Sequence, residues 1–148
     1  MIKIQKKKFN LVEENKRLIK KNSGAVVTFV GIVRGTTNKK KINSIEIEHY
    51  PEMAKKKFKE IENKVIKKWK LNNCTIIHRF GKLKIGEKIV YIGTSASHRK
   101  DAFEACEFLI DYLKVNAPFW KIEKNNLKKI YVKSKKSDLE RQKKWCFN

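Results

Sequence analysis

This chain is poor in the residues that most often announce a function. Its 148 residues include only three cysteines, two prolines and six glycines. Cys74, Cys106 and Cys146 stand far apart with no C-x-x-C spacing, which argues against a zinc or disulfide framework. Cys106 falls on the apolar side of a helical pattern and reads as a small core residue, and Cys74 opens an apolar run. No Gly/Ser/Pro-rich stretch marks a linker and no segment repeats, so one domain spanning residues 1–148 fits the length. No apolar run approaches the roughly 20 residues of a membrane span. The first ten residues, MIKIQKKKFN, carry charge without an apolar stretch, so no signal peptide is read and the expected location is the cytoplasm. Also absent are a glycine-rich phosphate loop, a Ser-His-Asp order and metal-ligand spacing; neither a metal nor a cofactor is expected.

Lysine, by contrast, is abundant. Lys and Arg total 37 against 15 Asp and Glu, a formal net charge of +22. The arginines are only Arg17, Arg34, Arg79, Arg99 and Arg141, and Ile and Asn are also frequent, a bias that a genome poor in G and C would produce. The lysines spread along the whole chain and form no single stripe. A basic RNA-binding module is therefore the alternative reading, without a G-x-x-G loop or an RNP-like aromatic string to carry it. The charge favours anionic substrates and acidic partners.

Periodicity predicts an α+β chain with a largely antiparallel sheet. Residues 2–9 suit a short strand, and Asn10 with Glu13 suits a capping box opening a helix to about Lys21. GAVVTFVGIVR, from Gly24 to Arg34, reads as a buried strand followed by a loop at 35–39. Ile45 and Ile47 alternate with Glu46 and Glu48, a strand with one wet face. Pro51 opens a long helix whose apolar face is Ala54, Phe58, Ile61, Val65 and Trp69. Strands at 74–80 and 88–94 flank a turn region from Gly81 to Gly86. A helix over about 100–115 presents Ala102, Cys106, Leu109 and Leu113, widened by Phe103 and Ile110. Strands at 119–123 and 129–133 and a basic helix at 138–145 complete the chain.

The chemistry-bearing residues sit at element ends. Arg34 ends an apolar strand before Gly35, so the backbone of Ile32 and Val33 would lie beside any ligand it holds. His98 and Arg99 precede the helix, where capping and surface charge compete with capture of a phosphate or carboxylate. Lys114 lies in the last helical turn, where a cation is favoured by the macrodipole in any case. Lys121 follows Phe119 and Trp120, and an extended segment points Lys121 and Glu123 to one side. Such a lysine is either a cation or, with its pKa pulled down, a nucleophile or base. His49, His78 and Arg79 lie at strand ends and read as structural first.

The strings GAVVTFVGIVRG, IEIEHYPEMA, IIHRFGKL, SHRKDAFEACEFLIDYLK and APFWKIE, in unbroken order from Gly24 to Val132, resemble the family of large, catalytic subunits of molybdopterin synthase. The resemblance implies an α/β-hammerhead-type fold and a sulfurtransferase. Sulfur from the C-terminal Gly-Gly thiocarboxylate of a small ubiquitin-like subunit would pass to cyclic pyranopterin monophosphate, making the molybdopterin dithiolene. It implies a homodimer at the core of a heterotetramer, with no specific nucleic acid and no membrane. Arg34, His98 and Arg99 would hold the substrate, with Ile32 and Val33 beside it and Phe29 walling the pocket. Lys114 and Lys121 would be catalytic, with Ile122 and Glu123 adjacent. The chain departs from the family pattern at Ile122, where a basic residue is frequent, and at Asn125–Tyr131, which lacks a common glycine and tryptophan. It departs again at Lys135, where an arginine can join the pocket. An inactive assembly scaffold is a third reading, opposed by the retained Lys114 and Lys121.

Overall fold

A computed structural model of the chain describes residues 1–37, 40–124, 129–132 and 135–145. The first sheet lines up β1 (Ile2–Gln5), β6 (Asn73–Arg79), β8 (Lys88–Ala96) and β2 (Ala25–Ile32) in that order. Only β1 and β6 run parallel; the other pairs are antiparallel. The second sheet, ordered β10 (Lys129–Val132), β9 (Phe119–Lys124), β5 (Ser44–His49) and β7 (Gly81–Lys84), is antiparallel throughout. β3 (Thr36–Thr37) and β4 (Lys40–Lys41) make a separate two-stranded hairpin where a loop was expected. The α+β architecture with mostly antiparallel pairing agrees with the sequence.

Both faces of the first sheet are covered, so its central strands are apolar on both sides. On one face lie α2 (Pro51–Lys68) and α3 (Arg99–Asn116). Phe58, Ile61 and Val65 from α2 and Ala102, Ala105, Cys106, Phe108 and Leu109 from α3 pack there on Cys74, Ile76 and Ile92. On the other face α1 (Leu11–Leu18) brings Leu18 against Ile77 and Tyr91, with Phe9 beside them. Adjacent residues thus feed opposite cores, Ile76 against Ile77 and Tyr91 against Ile92, as the two-residue period of a strand requires. Gly93 sits where α1 meets the sheet backbone; a Cβ there would lie 2.4 Å from Leu18 Cδ1.

The local signals operate as their chemistry suggests. Asn10 caps α1 by accepting from the Val12 N–H at 2.9 Å, while Glu13 faces Arg17. Pro51 begins α2. α4 (Lys136–Lys143) is the basic terminal helix.

Three further expectations are corrected. β2 is not a buried strand: it is the edge of the first sheet, its exposure alternates, and Val26 and Ile32 face outward. An edge strand has a neighbour on one side only, so β-branched composition does not guarantee burial. The region 81–86 is more than a turn, because β7 crosses into the second sheet and pairs with β5; only the reversal at Gly86, with φ +82°, remains a turn. Phe103 does not widen the apolar face of α3: it is 62% exposed, and Ala105 and Phe108 fill the core instead.

Phe58 is fully buried at the meeting of α2 and the first sheet. Phe58→Ala should lower unfolding free energy by about 3–5 kcal/mol, the usual cost of such a cavity. Urea denaturation of both proteins measures it; a loss under about 1 kcal/mol would show that the two layers are not packed as described.

Candidate active site

Arg34 is placed by its neighbours. The Val33 N–H donates to the Glu87 carbonyl and the Val33 carbonyl accepts from the Gly86 N–H, each at 2.9 Å. The Val33 side chain is buried with Ile42, Ile45, Ile47 and Leu83. Val33 thus anchors the end of β2 to the β7–β8 turn, its backbone groups already engaged, and Arg34 projects from that anchor exposed to solvent. Ile32 is exposed, and Phe29 is half-buried against the main core.

Lys121 and Glu123 do share one side of β9, and the Lys121 ammonium stands 3.1 Å from Glu123 Oε1. Register puts Lys121 opposite Ile47 and Glu123 opposite Ile45, on the face where Val33 packs. The fold therefore brings the Val33–Arg34 segment to the sheet face that carries Lys121 and Glu123. Glu123 is buried, so its charge is compensated by Lys121 and Lys121 is oriented in return. Ile122 pairs with Glu46 on the opposite face, where it is buried; only its backbone lies between Lys121 and Glu123.

α3 carries the remaining cations at its two ends. His98 occupies the N-cap position, yet its imidazole makes no capping hydrogen bond, and Arg99 beside it is exposed. Capping by the side chain therefore does not account for His98. Lys114 is exposed in the last turn. At 1.5 Å rise per residue the helix holds Arg99 and Lys114 roughly 22 Å apart. One chain thus brings the Val33 anchor that precedes Arg34 to the face of Lys121 and Glu123, and the same α3 cannot place His98–Arg99 beside its own Lys114.

A further joint positions β9. Past Lys114 the chain breaks at Ala117–Pro118, and Phe119 packs against both the main core and the small core of the second sheet. The Phe119 ring stacks on His78 with centroids 4.0 Å apart, with Phe58 at 5.6 Å and His49 at 5.7 Å. Burial pushes the His78 imidazole down to about 4, and its Nδ1 donates to the Arg79 carbonyl. Arg79 is buried, donating to the Lys6 and Lys88 carbonyls and lying 3.8 Å from Glu87. His49, His78 and Arg79 are thus structural. Sequence reading left the joint unseen because Phe119, His78 and Phe58 meet only in three dimensions.

Cys74 and Cys106 are buried free thiols, each pushed up to about 12 by burial, so neither offers a thiolate for sulfur chemistry. Cys146 and residues 125–128 lie outside the described residues, and Lys135 is exposed at the N-cap of α4. Among the described residues no His/Cys/Asp/Glu group could hold a metal. A cavity of about 640 Å³ between β1 and α2, lined by Lys3, His49, Lys55, Lys59 and Glu62 among others, includes none of the expected site residues.

The two-sheet frame, with cations exposed at the ends of its elements, defines an α+β protein of mostly antiparallel pairing. The chain belongs to the MoaE protein family, whose model matches residues 4–116. It is 41% identical over 138 residues to the molybdopterin synthase catalytic subunit of Escherichia coli K12, covering 93% of this chain and 92% of that one. The corresponding subunit of Vibrio cholerae is 39% identical over 97% of both chains. The crystal structure of molybdopterin synthase from Staphylococcus aureus superposes with a TM-score of 0.83 at 34% identity, covering 88% of this chain and 96% of that one. In the complex of subunits 1 and 2 of the molybdopterin-converting factor from Helicobacter pylori, the matching chain gives a TM-score of 0.76 at 29% identity, covering 89% of this chain and 90% of that one. The hammerhead-type fold expected from the sequence agrees with these neighbours.

The partly buried His78 has a pH consequence. Its folded value of about 4 lies below the ordinary 6.5, so the unfolded chain takes up a proton that the folded chain resists. Stability should be constant in this respect above pH 6.5 and fall as pH is lowered from 6.5 towards 4, by up to about 3 kcal/mol. His78→Phe, which keeps a ring against Phe119, should flatten that decline. Thermal melts of both proteins between pH 7 and 4 read it; parallel curves would reject the assignment.

Proposed function

We propose that this chain is the catalytic subunit of a molybdopterin synthase, a sulfurtransferase acting in the cytoplasm. Sulfur passes from the thiocarboxylate at the C-terminal Gly-Gly of a small ubiquitin-like subunit to cyclic pyranopterin monophosphate. The product dithiolene carries two new sulfurs and each thiocarboxylate brings one, so two donor molecules are consumed per product. The observation that carries this reading is Lys121, held by buried Glu123 on the sheet face where Val33 anchors Arg34, in a chain of the MoaE family.

The residues divide the work by charge. Arg34, His98 and Arg99 bind the cyclic phosphate, for which a guanidinium fork is suited. Lys114 and Lys121 lie along the path of the incoming thiocarboxylate. Their ammonium groups stabilise the negative charge that develops as the thiocarboxylate sulfur bonds to a substrate carbon and displaces its oxygen, and as water then cleaves the acyl–sulfur bond, leaving sulfur on the pterin and a carboxylate on the carrier's glycine. Ile32 and Phe29 shape the apolar side of the pocket, Val33 fixes Arg34, the Ile122 backbone spaces Lys121 from Glu123, and Glu123 aims Lys121. A glycine tail suits the approach because it is thin enough to thread a narrow pocket, and the +22 charge speeds encounter with an acidic carrier. No described helix is long and apolar enough to cross a membrane.

The length of α3 bears on assembly. Since one helix keeps Arg99 and Lys114 far apart, two copies related by a two-fold axis complete each pocket, His98 and Arg99 of one facing the lysines of the other. This makes the homodimer the functional core, with one small subunit on each copy.

Lys114→Ala should lower dithiolene formation by about 10²–10³-fold with both substrates saturating, and leave the fold intact, because a helix-end lysine contributes only about 0.3–1 kcal/mol. Lys121→Ala should act in the same direction, and Arg99→Ala should weaken substrate binding about tenfold to a hundredfold. Mixing Lys114→Ala with Arg99→Ala dimers and allowing exchange should recover about a quarter of wild-type activity, the share of intact sites when copies pair at random in a two-fold dimer. Normal turnover by Lys114→Ala would remove it from catalysis. No recovery after demonstrated exchange would place both groups in a single-copy site.

A further inference from the structure

The geometry points to Asp111 as a positioning residue for this site, acting through the C-terminal helix. Asp111 lies on α3 one turn before Lys114, and its side chain is 4% exposed. A carboxylate so buried needs partners, and both of its oxygens find them in the C-terminal segment. Arg141 Nε donates to Oδ1 at 2.9 Å and Trp145 Nε1 donates to Oδ2 at 2.8 Å. Arg141 also reaches Glu107 at 3.0 Å, and the Lys144 ammonium lies 3.2 Å from the same carboxylate. The Trp145 ring completes the contact, edge-on to Phe108 at 5.6 Å and to Trp69 at 6.1 Å. α4 itself buries none of its residues, so this clamp is what fastens it to α3.

The clamp closes a ring in chain order. α3 with Lys114 leads to β9 with Lys121; β10 pairs with β9, placing Val132 opposite Lys121; α4 follows, and Asp111 returns it to α3. Both catalytic lysines lie on that ring. β10 is the edge of its sheet, paired among the described strands with β9, and α4 follows it in the chain. Opening the clamp frees β10 to fray, uncovers the flank of Lys121 and relaxes the Lys114–Lys121 spacing. The consequence falls on kcat, because misplacement of a catalytic group by about 1 Å costs up to a hundredfold, while substrate affinity, held by other residues, stays.

This inference rests on the catalytic reading of Lys114 and Lys121, and the test separates the two. Arg141→Ala removes the half-exposed partner and leaves Asp111 its Trp145 hydrogen bond, so the fold survives even if Asp111→Asn does not. With the full chain, the thiocarboxylated small subunit and cyclic pyranopterin monophosphate, Arg141→Ala should lower kcat about tenfold or more with KM unchanged. Amide exchange should quicken in β10 and α4 while α2 and β8 stay protected, and Arg141→Lys should restore part of kcat. Unchanged kcat in Arg141→Ala, beside an inactive Lys114→Ala, would overturn the positioning role alone. Normal turnover by Lys114→Ala would instead sink the catalytic reading beneath it. A raised KM with kcat intact would likewise count against the clamp.

Discussion

The stack of Phe119 on His78 is the contact on which the site depends. Its ring belongs to two cores at once, the large one beneath α2 and α3 and the small one of the second sheet. β9 starts at this ring, and Lys121 follows two residues later. An aromatic stack with further rings at 5.6 and 5.7 Å resists sliding. The sheet that carries Lys121 and Glu123 is thereby registered against the sheet that packs a core on each face. The partly buried imidazole is held below its ordinary value because a charged one would lose hydration.

Charge is organised in two ways on this chain. Most lysines are solvated and lie on outer helix faces, as on α2, and individual exposed pairs contribute little. A few charges are buried and answered individually: Glu14 by Lys3 and Arg17, Glu62 by Lys59, Glu123 by Lys121, Asp111 by Arg141. The buried carboxylates are the informative ones, because a buried charge must be placed beside its partner. Arg34, His98 and Arg99 pair with no carboxylate among the described residues, and cations left open to solvent beside anchored backbone suit an anionic ligand.

Much was legible in the chain before its fold. Asn10 and Pro51 mark element ends through strictly local chemistry, hydrogen bonding by a side chain or a missing N–H, and they act so here. The apolar face of α2 followed from its period. The alternation that put Lys121 and Glu123 on one side depends only on extended backbone, and the ion pair between them follows. The family strings carried the expected substrate and the roles expected of the lysines, which no local rule reaches.

What the chain by itself determined, then, was where elements begin and end and which residues share a face, because those follow from interactions within a few residues. What only the tertiary structure decided was neighbourhood. It made β2 an edge, turned Phe103 outward, carried β7 into the second sheet and joined Asp111 to Arg141 across thirty residues. It also set His98–Arg99 and Lys114 at opposite ends of one rigid helix. Proximity between distant residues depends on how layers pack against one another, and burial of apolar area, being non-directional, leaves no mark of its partner in either segment alone.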